Sequence, residues 1–240
     1  MKNNGNSKKM FSVIMMCIIP VCLVMISTVI SQTETAEKKT IQLPAPKLDG
    51  AVSLEKTLAT RRSIRQFSDR KFTMEQIGQL AWAAQGITEP KRGLRTAPSA
   101  RATYPIQLYL ASPSGLYLYI PQSHSLQVLT ETDLRGKLAE RQVAVTNAGC
   151  NFIIAAKVRN TAGQYGRRAD NSMYLEAGHI AQNILLEAVS LGLAGVPVGG
   201  FDPNNVGKVC NLPSDQEPIY MVATGYPAPP APPKESEKKD

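Results

Sequence analysis

Hydrophobic and polar positions change period several times along the chain, and each change predicts an element. Over residues 52–61, Leu54, Leu58 and Ala59 fall at helical spacing and predict a short helix with those three side chains facing inward. Thr73-Met74-Glu75-Gln76 has the form of a capping box, and Met74, Ile77, Leu80, Ala81 and Ala84 continue the helical period up to Gly86. Residues 106–110 are strand-like and follow Pro105. Residues 116–120 and 125–129 read as the arms of a hairpin turning at 121–124, and residues 151–158 are an apolar run of strand length. Met173, Ala177, Ile180, Ile184, Ala188 and Leu191 mark a long helix that Gly192 ends. Gly178 and Ala181 give it a second, narrow face on which another helix could pack closely. A short extended piece at 196–198 and a last strand at 219–224 follow. The irregular alternation, with antiparallel hairpin signals, predicts an α+β fold and not a doubly wound sheet.

The first fifty residues stand apart from this pattern. Lys8 and Lys9 precede twenty-one uncharged residues, 10–30, a length that can cross a bilayer core. Residues 1–31 therefore read as a signal peptide or an N-terminal membrane anchor, with membrane contact in either case. The preceding lysines place the rest of the chain outside the cytoplasm, exported or anchored. Residues 32–50 are polar, carry Pro44 and Pro46, and read as a linker. One domain over 51–227 and a Pro/Lys/Glu-rich tail over 228–240 complete the organisation.

Charge narrows the function. The formal net charge is +8, of which residues 1–50 hold +3, six Lys against Glu34, Glu37 and Asp49, while the tail is neutral. The domain's excess suits a small anionic ligand. No zinc-finger spacing, RNP motif or long basic run points to nucleic acid. Cys150 and Cys210 read as buried free thiols, and no C-x-x-C occurs. Glu176-x-x-His179 has the spacing of a di-iron ligand pair. The only other histidine is His124, so a hydrogen-bonded core pair is the preferred reading and no metal site is expected.

The densest chemistry lies in Arg61-Arg62-Ser63-Ile64-Arg65. Three guanidinium groups and a hydroxyl beside a helix end can grip a phosphate. Alone, such a cluster reads more readily as a solvated basic surface. Four later segments change the balance: Ala97-Pro98-Ser99-Ala100-Arg101 before the first long strand, Gly115-Leu116-Tyr117-Leu118-Tyr119 with His124-Ser125-Leu126, Tyr174-Leu175-Glu176-Ala177-Gly178-His179, and Pro197-Val198-Gly199-Gly200-Phe201. In this order, over some 175 residues, they resemble the FMN-dependent nitroreductase superfamily, with the SagB/ThcOx-type dehydrogenases as the nearest likeness.

That resemblance implies a central, mostly antiparallel sheet flanked by helices, in a homodimer that binds FMN. Arg61 and Arg62 would hold the phosphate, Ser63 the phosphate or ribityl chain, and Arg65 would lie near ring N1 and the C2 carbonyl. The Gly199 amide would face N5, with Pro197 and Gly200 beside it. Pro98, Ser99 and Arg101 would reach the flavin of the opposite subunit. Lys234 stands where many members carry basic residues for the phosphate. The implied activity is ping-pong hydride transfer from NAD(P)H or another donor to a small organic acceptor. Two departures bear on it. Gly199 replaces a glutamate common in relatives. Gln164 precedes Tyr165 where azoline oxidases of the SagB branch carry a Lys-Tyr pair for proton transfer, so Tyr165 alone could serve there. A peptide azoline dehydrogenase and a non-catalytic exported flavin- or anion-binding module are the alternatives.

Overall fold

A computed structural model of the chain describes residues 39–139, 141–157 and 166–229. Its centre is a seven-stranded sheet of β1 (Thr40–Gln42), β4 (Ile106–Ser112), β5 (Gly115–Ile120), β6 (Ser125–Thr130), β7 (Cys150–Lys157), β8 (Ala194–Val198) and β9 (Gln216–Gly225). The order is β1-β6-β5-β4-β7-β9-β8, with every pairing antiparallel. β2 (Ile87–Glu89) and β3 (Leu94–Arg95) form a small separate ribbon. The helices are α1 (Leu54–Thr60), α2 (Met74–Gln85), α3 (Arg135–Leu138), α4 (Val143–Thr146), α5 (Gly166–Ser190) and α6 (Pro203–Val209). The α+β expectation holds.

The strand at β7 explains why residues 151–158 read as a continuous apolar run. Side chains alternate across a sheet, and here both faces are covered. Phe152 and Ile154 pack with Leu80 and Ala84 of α2 and Ile180 and Ile184 of α5. Ile153 and Ala155 pack on the other face with Leu138, Val145 and Val206 of the short helices and with Phe67. A helix pair, the sheet and a layer of short helices with an extended segment therefore form three layers.

Helix α2 begins as its sequence demands: the Thr73 hydroxyl accepts from the Gln76 amide at 3.3 Å, and the Gln76 side chain accepts from the Thr73 amide at 3.1 Å. Three other expectations are corrected. Leu54 and Leu58 of α1 point outward, 60% and 53% exposed, and Thr57 is the buried residue, because α1 touches α5 along its Thr57 edge. Gly178 and Ala181 do not share a face. Ala181 joins the core row of Ala177, Ile184 and Ala188, while Gly178 is exposed. For the same reason Glu176 and His179 are not a core pair, since Glu176 is buried and His179 is on the surface.

The stretch read as linker also contributes structure. Thr40–Gln42 pairs with β6, and Leu43 is buried. The hairpin turn holds this strap: the Gln42 amide group donates to the Ser123 carbonyl at 2.9 Å, and the Leu43 amide to the His124 carbonyl at 3.2 Å. At the other end Ala228 donates to the Gln66 carbonyl, so the fold's pairing reaches one residue into the expected tail. Cys150 and Cys210 are separate buried thiols, and burial pushes Cys210 up to about 12. Among the described residues no helix is long and apolar enough to cross a membrane, and the apolar segment at 10–30 lies outside them.

His124 ties the strap to the hairpin. Its Nε2 is 2.9 Å from the Pro44 carbonyl, which can only accept, so neutral His124 carries its proton on Nε2 and accepts at Nδ1 from the Tyr119 hydroxyl, also at 2.9 Å. Burial holds the imidazole below its usual pKa. The unfolded chain therefore takes up this proton first, and the stability His124 confers is complete above about pH 6.5 and lost as pH falls through that value. His124→Asn removes the titration and keeps a residue that tolerates the positive φ of 46° found here. Thermal unfolding should show wild type above the variant at about pH 7.5 and that margin shrinking by about pH 5.

Candidate functional site

The arginine segment has no regular structure of its own. It is fixed where it crosses the edge strand β8 and the end of β9. Ser63 forms a parallel bridge with Gly195, and the Ile64 amide donates to the Gly195 carbonyl at 3.2 Å. Three residues on, Phe67 is buried against the second core, and the Ser68 amide donates to the Tyr226 carbonyl at 2.9 Å. A Cβ on Gly225 would meet Phe67 Cγ at 2.6 Å, so the ring sits where only glycine leaves space.

Between and before these anchors the cations stay in solvent. Arg61 caps α1 and is half-buried; Arg62, Ser63 and Arg65 are exposed. Arg62 turns back on its own helix, where Nη1 donates to the carbonyls of Ala59 (3.1 Å) and Arg61 (2.7 Å). Among the described residues none of the three arginines pairs with a carboxylate. Such a group of uncompensated guanidinium groups suits an anionic ligand.

At its far end β8 runs into Gly199 and Gly200, both exposed. Pro197, which lacks an amide hydrogen, is tolerated because β8 is an edge strand. Neither glycine is required by the fold. Both lie outside the left-handed region, and an added Cβ would meet only Tyr220 at 3.8 Å from residue 199 and Gln142 at 3.7 Å from residue 200. What their missing side chains leave open is space outside the protein, as a flat ligand lying on the loop would need. From Gly195 to Gly199 is about 13 Å of strand. The cationic segment and the bare loop thus sit at the two ends of one short strand, and these residues fit a ligand with an anionic head and a flat body.

The Pro98–Ser99 loop is built separately. Ser99 is half-buried, and its Oγ accepts from the Tyr104 amide at 2.9 Å. Pro98 and Arg101 are exposed. Behind the loop lies a polar cluster that sequence reasoning did not find: Gln85 from the end of α2, Arg95 from β3 and Glu176 from α5. Arg95 Nη1 donates to Gln85 Oε1 at 2.7 Å, and its guanidinium lies over the Tyr104 ring, 4.5 Å from the centroid. Burial pushes the Glu176 carboxyl above its usual value, against the opposing pull of the nearby Ser99 and Gln85 side chains and the charges of Arg95 and His179. Gln142, ahead of α4, was also missed. Its side chain donates to the Gly200 carbonyl and so braces the glycine loop. No local pattern marks either feature, because each joins residues far apart in the chain. Tyr165 and Lys234 lie outside the described residues.

Comparison with known proteins agrees with this architecture. The model of the Nitroreductase family matches residues 58–226. A Methanocaldococcus jannaschii protein that carries the name nitroreductase is 32% identical over 195 residues, which cover 78% of this chain and 96% of that one. A Thermus thermophilus NADH dehydrogenase is 32% identical over 151 residues, 61% of this chain and 66% of its own. Among solved structures, a Ralstonia eutropha protein described as a nitroreductase superimposes with a TM-score of 0.72 at 30% identity, covering 81% of this chain and 92% of its own.

The seat of Phe67 yields a test. Gly225→Ala forces the ring off β9 and should cost on the order of 1–3 kcal/mol, the range for overpacking a filled site. Urea unfolding should show this as a lower midpoint with an unchanged slope.

Proposed function

The chain belongs to the nitroreductase family, and we propose that it is an FMN-dependent oxidoreductase. One observation carries this reading: three arginines without carboxylate partners are pinned at one end of β8, and a glycine loop whose bareness the fold does not need lies at the other. Bound there, FMN would supply a two-electron carrier that is reduced by a donor such as NAD(P)H and then, once the donor has left, reoxidised by a small organic acceptor.

The chain's own residues would bind and orient. Arg61 pairs with the phosphate, Ser63 hydrogen-bonds the phosphate or ribityl chain, and Arg65 fixes a positive charge near the ring. Arg62, held to α1 by one nitrogen, offers its remaining donors to the phosphate. The Gly199 amide is a donor toward the ring edge, and Gln142 keeps the adjoining Gly200 carbonyl turned away toward α4. Lys234 would add charge near the phosphate, and Tyr165 would be the proton donor on the acceptor side.

The second copy in this reading is another molecule of the same chain. Leu54 and Leu58 of α1 and Tyr174 and Leu175 of α5 are large, apolar and more than half exposed. A homodimer would cover them and bring Pro98, Ser99 and Arg101 of one subunit to the flavin of the other. The domain would work outside the cytoplasm, exported or held by residues 10–30. A SagB-type peptide azoline dehydrogenase is the second reading, and its support is the Gly115–Ile120 and Ser125–Thr130 hairpin with its Gly-Leu-Tyr-Leu-Tyr and His-Ser-Leu sequences. A non-catalytic flavin- or anion-binding module is the contrasting class.

Two predictions follow from the site. The purified protein should be yellow and should bleach with NADH or NADPH, whereas the double variant Arg61→Ala with Ser63→Ala should be colourless. Losing the charged bond to Arg61 should weaken FMN by about 1.5–3 kcal/mol and the hydroxyl by about 1 kcal/mol more. Unchanged flavin absorbance in the variant would remove the phosphate site, and colour without bleaching would favour the binding module. In solution the protein should be a dimer with two equivalent flavins. A Cβ at Gly178 meets no atom within 4 Å in one subunit, so Gly178→Trp should leave each subunit folded while splitting the dimer and releasing FMN. A flavin-replete monomer by light scattering would overturn the shared site.

A further inference from the structure

The glycine loop is held from two directions by the short helices that lie between β6 and β7. Gln142, which starts α4, donates from its side chain to the Gly200 carbonyl. Asn205 of α6 donates from Nδ2 to the Lys137 carbonyl at 2.8 Å and to the Leu138 carbonyl at 3.4 Å, both at the end of α3. Between these two ties the chain has little slack. Phe201 packs against the core of Leu138, Val145 and Val206, and Asp202 caps α6 by accepting from the Asn204 amide at 2.9 Å.

Helix α4 is in turn anchored to the sheet. Asn151 of β7 is fully buried, and its Nδ2 donates to the Val145 carbonyl at 2.9 Å. Its Oδ1 has no hydrogen-bond partner among the described residues, so this amide costs stability in an otherwise apolar strand and is explained by what it holds. The Gln142 carbonyl accepts from the Val145 amide at 2.8 Å and the Thr146 amide at 3.2 Å, and the Gln142 amide donates to the Ala139 carbonyl at 2.9 Å. Hydrogen bonds therefore run unbroken from β7 through α4 to Gly200.

Holding one carbonyl also aims one donor. The Gly200–Phe201 peptide is trans, so the Phe201 N–H points opposite to the Gly200 carbonyl, away from α4. Nothing among the described residues accepts from that amide. Gly199 and Gly200 are exposed and have wide backbone freedom, so an untied peptide here could turn over and present its carbonyl instead. We propose that Gln142 is a positioning residue: it keeps the negative end of the Gly200–Phe201 peptide on α4 and the Phe201 donor on the open side of the loop before any ligand arrives. The brace rests on these hydrogen bonds alone; its consequence rests on the flavin reading above. A ring that gains negative charge on reduction is stabilised by a donor and opposed by a carbonyl, so the brace favours reduced over oxidised FMN.

Two measurements on the full chain test the brace and its consequence separately. The first is made without ligand. Backbone order parameters from nuclear magnetic resonance should lie near the rigid value of about 0.85 over residues 199–201 and fall below about 0.6 in Gln142→Met, with β7 unchanged. That variant keeps the length of the side chain and loses the donor. Gln142→Glu has the same shape and, when ionised, no donor; it should give the same fall, and it carries this test should Gln142→Met not fold. The second is the midpoint potential of bound FMN. Gln142→Met should lose about tenfold more affinity for reduced than for oxidised FMN, which lowers the potential of a two-electron couple by about 30 mV. Wild-type order parameters in a folded Gln142→Met protein would overturn the brace. Equal weakening of both redox forms, with the potential unmoved, would overturn its role toward the ring. A wild-type protein that takes up no FMN would sink the functional reading, while the order parameters would still decide the brace.

Discussion

The docking of residues 63–68 onto the bare corner of the sheet is the contact on which the site depends. Three backbone hydrogen bonds, Ile64 to Gly195, Ser68 to Tyr226 and Ala228 to Gln66, and one buried ring give shape to a segment that has none by itself. Glycine stands at both contacts for a reason that can be measured: a Cβ on Gly195 would lie 2.9 Å from Leu185 and one on Gly225 2.6 Å from Phe67. Backbone pairing spaces the anchors and leaves Arg65 between them in solvent. Three adjacent guanidinium groups repel one another, and the pinned backbone keeps them together without drawing in a carboxylate. The core thereby holds a charge distribution that would relax apart on a free loop.

A second constraint acts on the opposite side of the sheet. Helix α5 must pack its alanines and isoleucines against β4, β7 and β9, and this fixes where Glu176 falls. Once the carboxyl is inside, desolvation raises its pKa, and Gln85 and Arg95, joined by their own hydrogen bond, share its buried surroundings from two other segments. The Pro98–Ser99 loop is held independently of the acid, by the Tyr104 amide on Ser99 Oγ and the Arg95 amide on the Tyr104 hydroxyl.

Much of the architecture was legible in the chain because its causes are local. Thr73 and Gln76 announce a capped helix wherever they fall before an apolar period, and the alternation in β5 and β6 fixes a hairpin. The missed helix α6 had a readable signal in Asp202 followed by Pro203, a cap and a first-turn proline. The errors have a different origin. Leu54 and Leu58 obey the helical period, yet the period does not say which side of a helix finds a neighbour, and α1 finds α5 through Thr57. Gly178 and Ala181 are three apart, close enough in angle to share a face and far enough for a core boundary to pass between them. Of the site, the arginines, the glycine loop and the Pro98–Ser99 loop were visible as motifs. The Gln85–Arg95–Glu176 cluster and Gln142 were not, since long-range polar contacts leave no periodicity in the sequence.

Strand order bears on how the two halves of the site can meet. The Pro98–Ser99 loop leads through Pro105 into β4, whereas the glycine loop leaves β8, and β7 and β9 lie between them. Three strand spacings amount to about 14 Å across the sheet. Register adds an offset along it: β4 begins at Ile106 opposite Ala156, which pairs with Glu217, while β8 ends at Val198 opposite Met221, four residues farther along β9. The hydrogen bonds from the Tyr104 amide to Ser99 and from the Arg95 amide to Tyr104 hold the first loop and so limit how far it can swing toward β8 of its own chain. A rigid loop is of little use at a site it cannot reach, but it would suit the neighbouring site of the proposed homodimer. The same rigidity that isolates the loop within one chain would then let it complete the neighbouring site without an ordering cost when the ligand binds.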